Sequence, residues 1–370
     1  MTNNRIMSVH YRVDGLKNIG DYIQAIAAKQ FMKSEDFVDR DELKVYKGLP
    51  CRLIMNGWFM HRPDMFPPSN SIDPLVTSFH ITPFRADEIL TAEGLGWLRK
   101  HQPIGCRDKA TERLLKAKGI DAYFSGCLTL TLGRTYRHRK TQKKVLFVDP
   151  QIPHKGKLSR MLFNAKVAND LMTHLPSVVA VARKFRKAGY VGGRGVKKLL
   201  KSMIYAAAFL SEYSNVFNRR TLVDSDYTIQ EIPWKDIDLA AEGGSVDSTL
   251  MKIADERLRD YETRPLVVTS RIHCALPCTA IGTPVIFLND VVGRYNARHQ
   301  DSCNGRYEGL LDFFNVMEFS KDWRLSATFD TNGKVCENTV LPEKSNWKEY
   351  ALELAQCCER FAENGCAAIK

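Results

Sequence analysis

Short apolar runs alternate with amphipathic stretches along most of this chain, which is the strand, turn, helix and strand pattern of parallel α/β sheets. The clearest unit lies late in the sequence. There, residues 265–270 predict a buried strand, residues 273–281 a helix, and residues 285–288 the next strand. Gly282, followed by Thr and Pro, predicts the turn that ends this helix. Such a unit is typical of a Rossmann-like domain.

The same pattern occurs on both sides of residue 143. Before it, strands are predicted over residues 6–11, 52–55, 75–80, 103–106 and 121–124, and helices over residues 22–32 and 109–118. After it, strands are predicted over residues 145–148 and 227–232, and helices over residues 196–213, 247–260 and 345–365. We therefore predict an α/β fold of two Rossmann-like domains facing across a cleft, residues 1–142 and 143–340. A helix in residues 341–370 would pack on both domains.

Basic residues are concentrated in one segment. The chain has a formal net charge of +12, but residues 134–220 alone are net +17, so the remainder is net −5. Such a segment can meet nucleic acid, anionic lipid or an acidic polymer, or it can be the solvated face of an insertion over residues 151–225. Within it, Lys197, Lys198 and Lys201 lie beside the apolar side of a predicted helix, which suggests peripheral contact with an anionic membrane.

The cysteines and the apolar runs indicate the cellular compartment of the protein. Ten cysteines without a regular framework are typical of free thiols in a reducing cytosol. No apolar run approaches the roughly 18 residues that a bilayer span needs, and the sequence starts without the apolar core of a signal peptide. We expect a cytoplasmic protein, peripheral at the inner membrane face if the basic helix binds lipid.

Ser270, Arg271 and His273 lie between the late apolar strand and its helix. In open parallel sheets, ligands bind beyond the carboxyl ends of the strands, where helix N-termini point at them. A guanidinium, an imidazole and free backbone N–H groups suit a small molecule that carries phosphate or carboxylate. We include Ser270 and Cys274 as substrate contacts at this turn. The alternative is that Arg271 and His273 only cap the helix and pair with nearby carboxylates.

Arg107 has the corresponding position in the first half, directly after the strand over residues 103–106. Asp108 is a natural N-cap for the helix that follows, and Gly119 a natural stop. If the two domains face each other, Arg107 and Arg271 would bind one anion from two sides. A purely structural Arg107 is the alternative.

Two further turns are weaker candidates for substrate contacts. Gly20 and Asp21 begin a helix, where Asp21 and Gln24 could form no more than a capping box. In the predicted fold they would lie at the floor of the cleft and contact a sugar hydroxyl or an anion. Asn56 and Gly57 form a turn by default and a cleft-lining loop if the fold is right.

Common cofactor and nucleophile motifs are absent from the sequence. The nine histidines are scattered, and no His or Cys pair has zinc-finger spacing. There is no Gly-x-Gly-x-x-Gly, no P-loop and no Gly-x-Ser-x-Gly. We therefore expect no metal and no cofactor, and redox, kinase-like and serine hydrolase functions are disfavoured.

Four stretches together resemble the polysaccharide pyruvyl transferase family. They are residues 18–24, 104–111 and 124–130, and residues 267–277 continued by 281–285. The stretch from Ser270 to His273 is the most specific, because the family carries an Arg-hydrophobe-His there. Many relatives have a Gly-rich turn where this chain has Asn56-Gly-Trp-Phe59, and residues 151–225 have no counterpart that we can name.

The resemblance implies a GT-B-like fold and the transfer of the pyruvyl group of phosphoenolpyruvate onto a sugar as a ketal, in surface, capsular or exopolysaccharide biosynthesis. It implies that Arg271 and His273 lie at the phosphoenolpyruvate site, and it suggests Arg107 as a further residue of that site. His273 would be the acid, the two arginines would hold phosphate and carboxylate, and Asp21 is a candidate base or acceptor contact. The acceptor would be a sugar or a lipid-linked oligosaccharide, and no nucleic-acid partner is expected.

Two alternatives stay open. A GT-B glycosyltransferase that uses a nucleotide sugar would share the cleft and the Gly282-Thr-Pro turn. However, the nearest residues that could bind ribose hydroxyls are Asn289 and Asp290. A non-catalytic protein could instead bind an acidic polymer through the basic segment, although the occurrence of Arg271 and His273 at one turn favours catalysis.

Overall fold

A computed structural model describes residues 3–8, 16–152, 165–234, 237, 245–290, 305–320 and 324–364 of the chain. In chain order the strands are β1 (Asn3–Ser8), β2 (Leu16–Asn18), β3 (Phe37–Asp39), β4 (Cys51–Trp58), β5 (Ile72–His80), β6 (Ile104–Cys106), β7 (Ala122–Phe124), β8 (Leu146–Val148), β9 (Asp226–Thr228), β10 (Glu231–Pro233), β11 (Val267–Thr269), β12 (Val285–Asn289), β13 (Asn315–Phe319) and β14 (Leu325–Ala327). The α-helices are α1 (Ile19–Met32), α2 (Ala92–Lys100), α3 (Lys109–Ala117), α4 (Ala165–Thr173), α5 (Leu175–Lys187), α6 (Gly195–Tyr213), α7 (Arg219–Asp224), α8 (Val246–Thr263), α9 (Ile272–Ile281) and α10 (Trp347–Asn364).

These strands form two six-stranded sheets and a small two-stranded one. The first sheet has the order β3-β1-β4-β5-β6-β7, and every neighbouring pair in it is parallel. The second has the order β14-β13-β12-β11-β8-β9 and is parallel except for β14, which runs antiparallel to β13. Strands β2 and β10 pair antiparallel and connect the start of the chain to residues 231–233. The predicted mixed α/β fold with parallel sheets is confirmed.

Both sheets are covered on both faces, which explains why their strands read as continuous apolar runs. In β4, Ile54 packs in one hydrophobic cluster while its neighbours Leu53 and Met55 pack in another on the opposite face. In the second sheet, Val267 and Val268 are divided in the same way. The cluster that holds Ile54 and Val267 is shared by the two sheets and also receives side chains from α1, α8, α9 and α10.

The outer layers differ between the sheets. Helices α2 and α3 cover the outer face of the first sheet, and α4 to α7 cover that of the second. The segment predicted as an insertion, residues 151–225, therefore supplies the outer helical layer of the second sheet in its described part, while residues 153–164 lie outside the described residues. Among the described residues, no helix combines the length and apolarity that crossing a membrane requires.

Several predicted boundaries change in the structure. The single strand predicted over residues 227–232 is wrong: the chain bends at Gln230, so that β9 joins the second sheet and β10 pairs with β2. Helix α1 begins at Ile19 rather than at residue 22, because the side chain of Asn18 caps it by accepting the N–H of Gly20 at 3.1 Å. The last three residues of the strand predicted over residues 6–11 lie outside the described residues.

Candidate functional site

The turn between β11 and α9 holds the residues of the predicted phosphoenolpyruvate site. Arg271 is the N-cap residue of α9, and Ser270 donates its hydroxyl hydrogen bond to the backbone oxygen of Asp149 at 2.6 Å. Inside the first turn, His273 has the non-helical angles φ −82° and ψ 18°. Pro277, four residues later, explains this kink, because its ring has no N–H to donate and crowds the carbonyl of His273.

Arg271 is already paired with two carboxylates. Its Nε lies 2.7 Å from Asp149 Oδ2, and its Nη1 lies 3.0 Å from Glu231 Oε1. Burial favours the neutral form, but these two carboxylates outweigh it and raise the pKa of Arg271 above its ordinary value. The guanidinium is fixed at the strand end with its charge compensated, so Arg271 by itself offers an incoming anion little uncompensated charge.

Asp149 and Gln230 connect this turn to α1. The Asp149 backbone has a φ of +47°, in the left-handed region that costs energy for a residue with a side chain. In this conformation Asp149 Oδ2 accepts the backbone N–H of Gln230 at 3.0 Å besides the Arg271 contact, and the Gln230 carbonyl accepts the N–H of Ile19 at 3.0 Å. The chain thereby holds the N-terminus of α1 near that of α9.

Gly20 lies where the two helix N-termini meet. A Cβ at this position would come within 3.0 Å of the His273 Cβ and would collide with the side-chain amide of Gln230. Only glycine permits this approach. The structure therefore brings together two of the predicted site residues, Gly20 and His273, and directs two helix N-termini toward one region, an arrangement that favours a bound anion.

Asp21, Asn56 and Gly57 make contacts with α1 and its neighbours. Asp21 is in the first turn of α1, with Oδ1 4.0 Å from Nη1 of the buried Arg40 and 3.4 Å from Nε2 of Gln24. Its carboxylate is thus engaged by neighbours. The sequence prediction of a capping box is wrong, because Asn18 is the cap.

Asn56 and Gly57 are not a turn or a loop but the last part of β4. The side chain of Asn56 donates to the backbone oxygen of Gln24 at 3.2 Å, while its Oδ1 is buried without a hydrogen-bond partner among the described residues. Gly57 has a φ of +122° at a register shift between β4 and β5. Such an angle requires glycine and explains why the chain uses it there.

Arg107 follows β6 and is 1% exposed. Within the described part of the chain its Nε and Nη2 have no hydrogen-bond partner, although Nη2 lies 3.6 Å from Asp108 Oδ2 in an ion pair. Burial is the largest influence and lowers the pKa of Arg107 below its ordinary value. A buried guanidinium with two unused donors is costly in the absence of an anion, because each unpaired donor costs about 1–3 kcal/mol or more when charged.

Two residues of the site are not predicted from the sequence, Arg306 and His80. The Nε of Arg306 and the Nε2 of His273 are also buried with no hydrogen-bond partner among the described residues. Burial, followed by the charges of Arg107 and Arg306, lowers the pKa of His273 well below its ordinary value, and His80 adds to this effect. The charges of Arg107 and Arg306 and the ring of His80 thus all influence His273, and we call these four side chains the cationic cluster.

His80 is the last residue of β5, and its Nδ1 lies 2.6 Å from Asp108 Oδ2. Burial and the charge of Arg107 lower the pKa of His80 to about 4, against the opposing effect of Asp108. Asp108 is the N-cap of α3, as predicted. Burial raises the pKa of Asp108, but hydrogen bonds and the positive neighbour Arg107 outweigh it, so that the carboxylate stays ionised.

Cys274 and Ser270 end up outside this cluster. Cys274 is fully buried in the hydrophobic cluster shared by the two sheets, and the Ser270 hydroxyl is used by Asp149. The eight described cysteines are free thiols. Within the described ranges, no group of three or more His, Cys, Asp or Glu is placed to hold a metal ion.

No protein-family model, curated protein or solved structure matches this chain. Its function is therefore inferred from the geometry of the site. Among the described residues, Arg107, Arg306 and His273 carry buried nitrogen atoms without a hydrogen-bond partner, and His273 lies where the N-termini of α1 and α9 approach each other. This arrangement suits a small ligand with several negative charges.

Proposed function

We propose that this chain is a pyruvyl transferase, which moves the pyruvyl group of phosphoenolpyruvate onto a sugar as a ketal in surface or capsular polysaccharide biosynthesis. The observation that carries the proposal is the set of buried nitrogen atoms on Arg107, Arg306 and His273 that have no hydrogen-bond partner among the described residues. Phosphoenolpyruvate carries a phosphate and a carboxylate on the same carbon atom, which two guanidinium groups and an imidazole can bind together. The resemblance of residues 267–277 to the pyruvyl transferase family supports the same ligand.

In this proposal Arg107 and Arg306 hold the phosphate and the carboxylate and stabilise the charge that develops during transfer. His273 donates a proton to the methylene carbon, which creates an oxocarbenium-like centre for attack by a sugar hydroxyl. Arg271 borders the donor site, fixed there by Asp149 and Glu231. Asp21 is less suited to act as the base, because Arg40 and Gln24 engage its carboxylate.

The finer description of the fold is part of the same proposal. The two parallel sheets would be two Rossmann-like domains, residues 1–142 and 143–340, facing across a cleft as in the GT-B fold. In support of it, Arg107 follows a strand of the first sheet and His273 one of the second, and the charge of one affects the pKa of the other. The acceptor sugar would enter from the side of the first sheet.

Phosphoenolpyruvate is expected to raise the thermal unfolding midpoint of the protein. By mass action, a ligand at 100 times its Kd adds about 2.7 kcal/mol to the free energy of unfolding. The measurement compares phosphoenolpyruvate with inorganic phosphate, pyruvate and uridine- or guanosine-diphosphate sugars at equal ionic strength. Stabilisation by a nucleotide sugar and none by phosphoenolpyruvate would contradict the proposal and favour the glycosyltransferase.

A turnover assay tests whether binding of phosphoenolpyruvate leads to transfer. The protein is incubated with phosphoenolpyruvate and a panel of nitrophenyl and lipid-linked sugars, and phosphate release is measured together with the mass of the sugar. Phosphate release with a matching pyruvyl ketal on the sugar is the expected result. Phosphate release without a modified sugar would indicate a phosphatase instead.

We also propose that the start of α6 contacts an anionic membrane. Val196, Leu199 and Leu200 are 80%, 41% and 56% exposed, whereas the later part of the helix is buried against the second sheet. Lys197 and Lys198 form no ion pair with an acidic side chain among the described residues. Apolar side chains between unpaired lysines suit a surface of anionic lipid, to which each lysine contributes about 1 kcal/mol.

Vesicle flotation tests this contact. At low salt the protein is expected to float with phosphatidylserine-containing vesicles, and at high salt to stay in the soluble fraction, because the attraction is screened. Replacing Lys197, Lys198 and Lys201 by Glu should abolish flotation. As a control, three exposed lysines of the first half, Lys33, Lys47 and Lys118, are replaced by Glu. This variant has the same net charge as the first, and its flotation should match that of the wild type. Equal losses in both variants would mean that only net charge matters.

A further inference from the structure

His80, a member of the cationic cluster, forms a buried pair with Asp108. The His80 side chain is 3% exposed and that of Asp108 is fully buried. Asp108 is held in place from another side, because its Oδ1 accepts both the backbone N–H and the hydroxyl of Thr111 at 2.9 Å. An ionised carboxylate can only accept, so the 2.6 Å contact assigns the proton to His80 Nδ1. The lone pair of the neutral ring is then on Nε2.

This nitrogen is the unused end of the pair. Among the described residues, Nε2 of His80 makes no hydrogen bond, whereas Nδ1 is occupied by Asp108 and faces Thr111 at 3.4 Å. The ring lies at the carboxyl end of β5, next to the strand end that carries Arg107, and it is close enough to His273 to influence its protonation. A neutral imidazole with a fixed tautomer and an available Nε2 is the arrangement of a general base.

A capping role alone does not account for this pair. Asp108 caps α3 through Thr111, and that function needs no histidine. Burying an imidazole beside Arg107 is unfavourable for its protonated form, so burial and Arg107 together keep His80 neutral before substrate binds, against the effect of Asp108. An anion that compensates Arg107 would make the ring more basic at the moment when a base is required.

We propose that His80, oriented by Asp108, is the general base that takes the proton from the acceptor hydroxyl in the transfer reaction. This inference rests on the proposed function and adds to it the residue that activates the acceptor. It makes His80 a catalytic residue and Asp108 a positioning residue, and it places the acceptor hydroxyl next to β5, on the side of the first sheet.

The proton transfers of the reaction balance when two histidines take part. The first sugar hydroxyl forms its C–O bond to the central carbon of phosphoenolpyruvate and gives its proton to His80, while His273 protonates the methylene carbon to a methyl group. When the C–O bond to phosphate breaks, His80 returns its proton to the departing phosphate. The second hydroxyl closes the ketal and gives its proton to His273. Both histidines end in their starting states, and no oxidant or reductant is needed.

Two variants separate catalysis from structure. His80→Asn retains an amide N–H where Nδ1–H was, so the hydrogen bond to Asp108 persists while the base is removed. Asp108→Asn retains a good N-cap, but it turns a donor toward His80 and thereby moves the ring proton to Nε2. Phosphoenolpyruvate-induced thermal stabilisation shows that each variant is folded and binds the donor.

The expected result is a loss of kcat for sugar-dependent phosphate release of about 10²–10⁴-fold in both variants, with donor stabilisation close to that of the wild type. Wild-type turnover is measured first. If the wild type releases no phosphate with any acceptor, the proposed function and this inference fail together. If the wild type turns over and His80→Asn retains its kcat, only the base assignment is overturned. Full activity in Asp108→Asn would exclude the positioning role.

Discussion

Arg107→Met is expected to make the ligand-free protein more stable and to remove its stabilisation by phosphoenolpyruvate. The guanidinium is buried, two of its nitrogen atoms have no hydrogen-bond partner among the described residues, and methionine fills a similar volume without that cost. Replacing buried ions by apolar groups is often neutral or stabilising by about 1–4 kcal/mol. Asp108 gives up one ion pair in this variant but keeps its bonds to Thr111 and His80. Each charge-assisted hydrogen bond that the variant cannot form to the ligand weakens binding by about 1.5–3 kcal/mol, or about 10- to 150-fold in Kd.

Thermal melts with and without phosphoenolpyruvate measure both effects in one experiment. Arg220→Met is a suitable control, because Arg220 has a 90% exposed side chain and an ion pair at 3.5 Å to Asp224, which contributes little to stability. It should leave both the melting midpoint and the ligand shift close to those of the wild type. A lower midpoint in Arg107→Met with an unchanged ligand shift would make Arg107 a structural residue and contradict the proposed site.

The opposite signs of the two effects distinguish a functional residue from a structural one. A structural arginine is paired, as Arg264 is with Asp226 and Asp260 at 2.7 Å, and its removal takes a close partner from both carboxylates. Arg107 has one carboxylate at 3.6 Å and unused donors. Its burial is a cost to the free protein that a bound anion would offset, and such costs are concentrated at functional sites.

The parts of the fold that depend on local pattern could be predicted from the sequence. Apolar runs such as residues 265–270 and 285–288 identified strands that are buried on both faces. The rule that ligands bind at strand ends selected Arg107 and His273, and the charge of Arg107 lowers the pKa of His273. The small sheet of β2 and β10 could not be predicted, because its pairing joins residues about 210 positions apart and each strand has only three residues.

The remaining site residues are harder to predict from the sequence, because their roles depend on contacts with residues that are distant along the chain. Arg306 follows a glycine in a stretch of turns with no periodic pattern, so that nothing local marks it. The ion pairs of Arg271 could not be predicted for the same reason, since its partners Asp149 and Glu231 lie far from it in the sequence. His80 was the exception, because it ends a predicted strand and the strand-end rule, applied to β5, would have selected it.

His273→Ala is expected to lower kcat by about 10²–10⁴-fold and to change the Kd for phosphoenolpyruvate by less than about tenfold, or about 1.4 kcal/mol. The Cβ that packs against Gly20 remains in this variant. In the free protein, burial and then the charges of Arg107 and Arg306 keep the pKa of His273 low, so the ring is neutral. A bound trianion compensates these charges and raises the pKa, so that His273 takes up the proton that it later donates.

This uptake is measurable by titration calorimetry in buffers of different ionisation enthalpy, at a pH well above the phosphate pKa of about 6. Because the complex binds more protons than the free protein, affinity should fall as the pH rises. The uptake should vanish in His273→Ala and persist in His174→Asn, which alters an exposed ring paired with Asp170. It should also persist in His80→Asn, since a base must stay unprotonated until the acceptor arrives. The group that becomes protonated in the complex is the acid. If proton uptake vanishes in His80→Asn and persists in His273→Ala, the roles of the two histidines are exchanged.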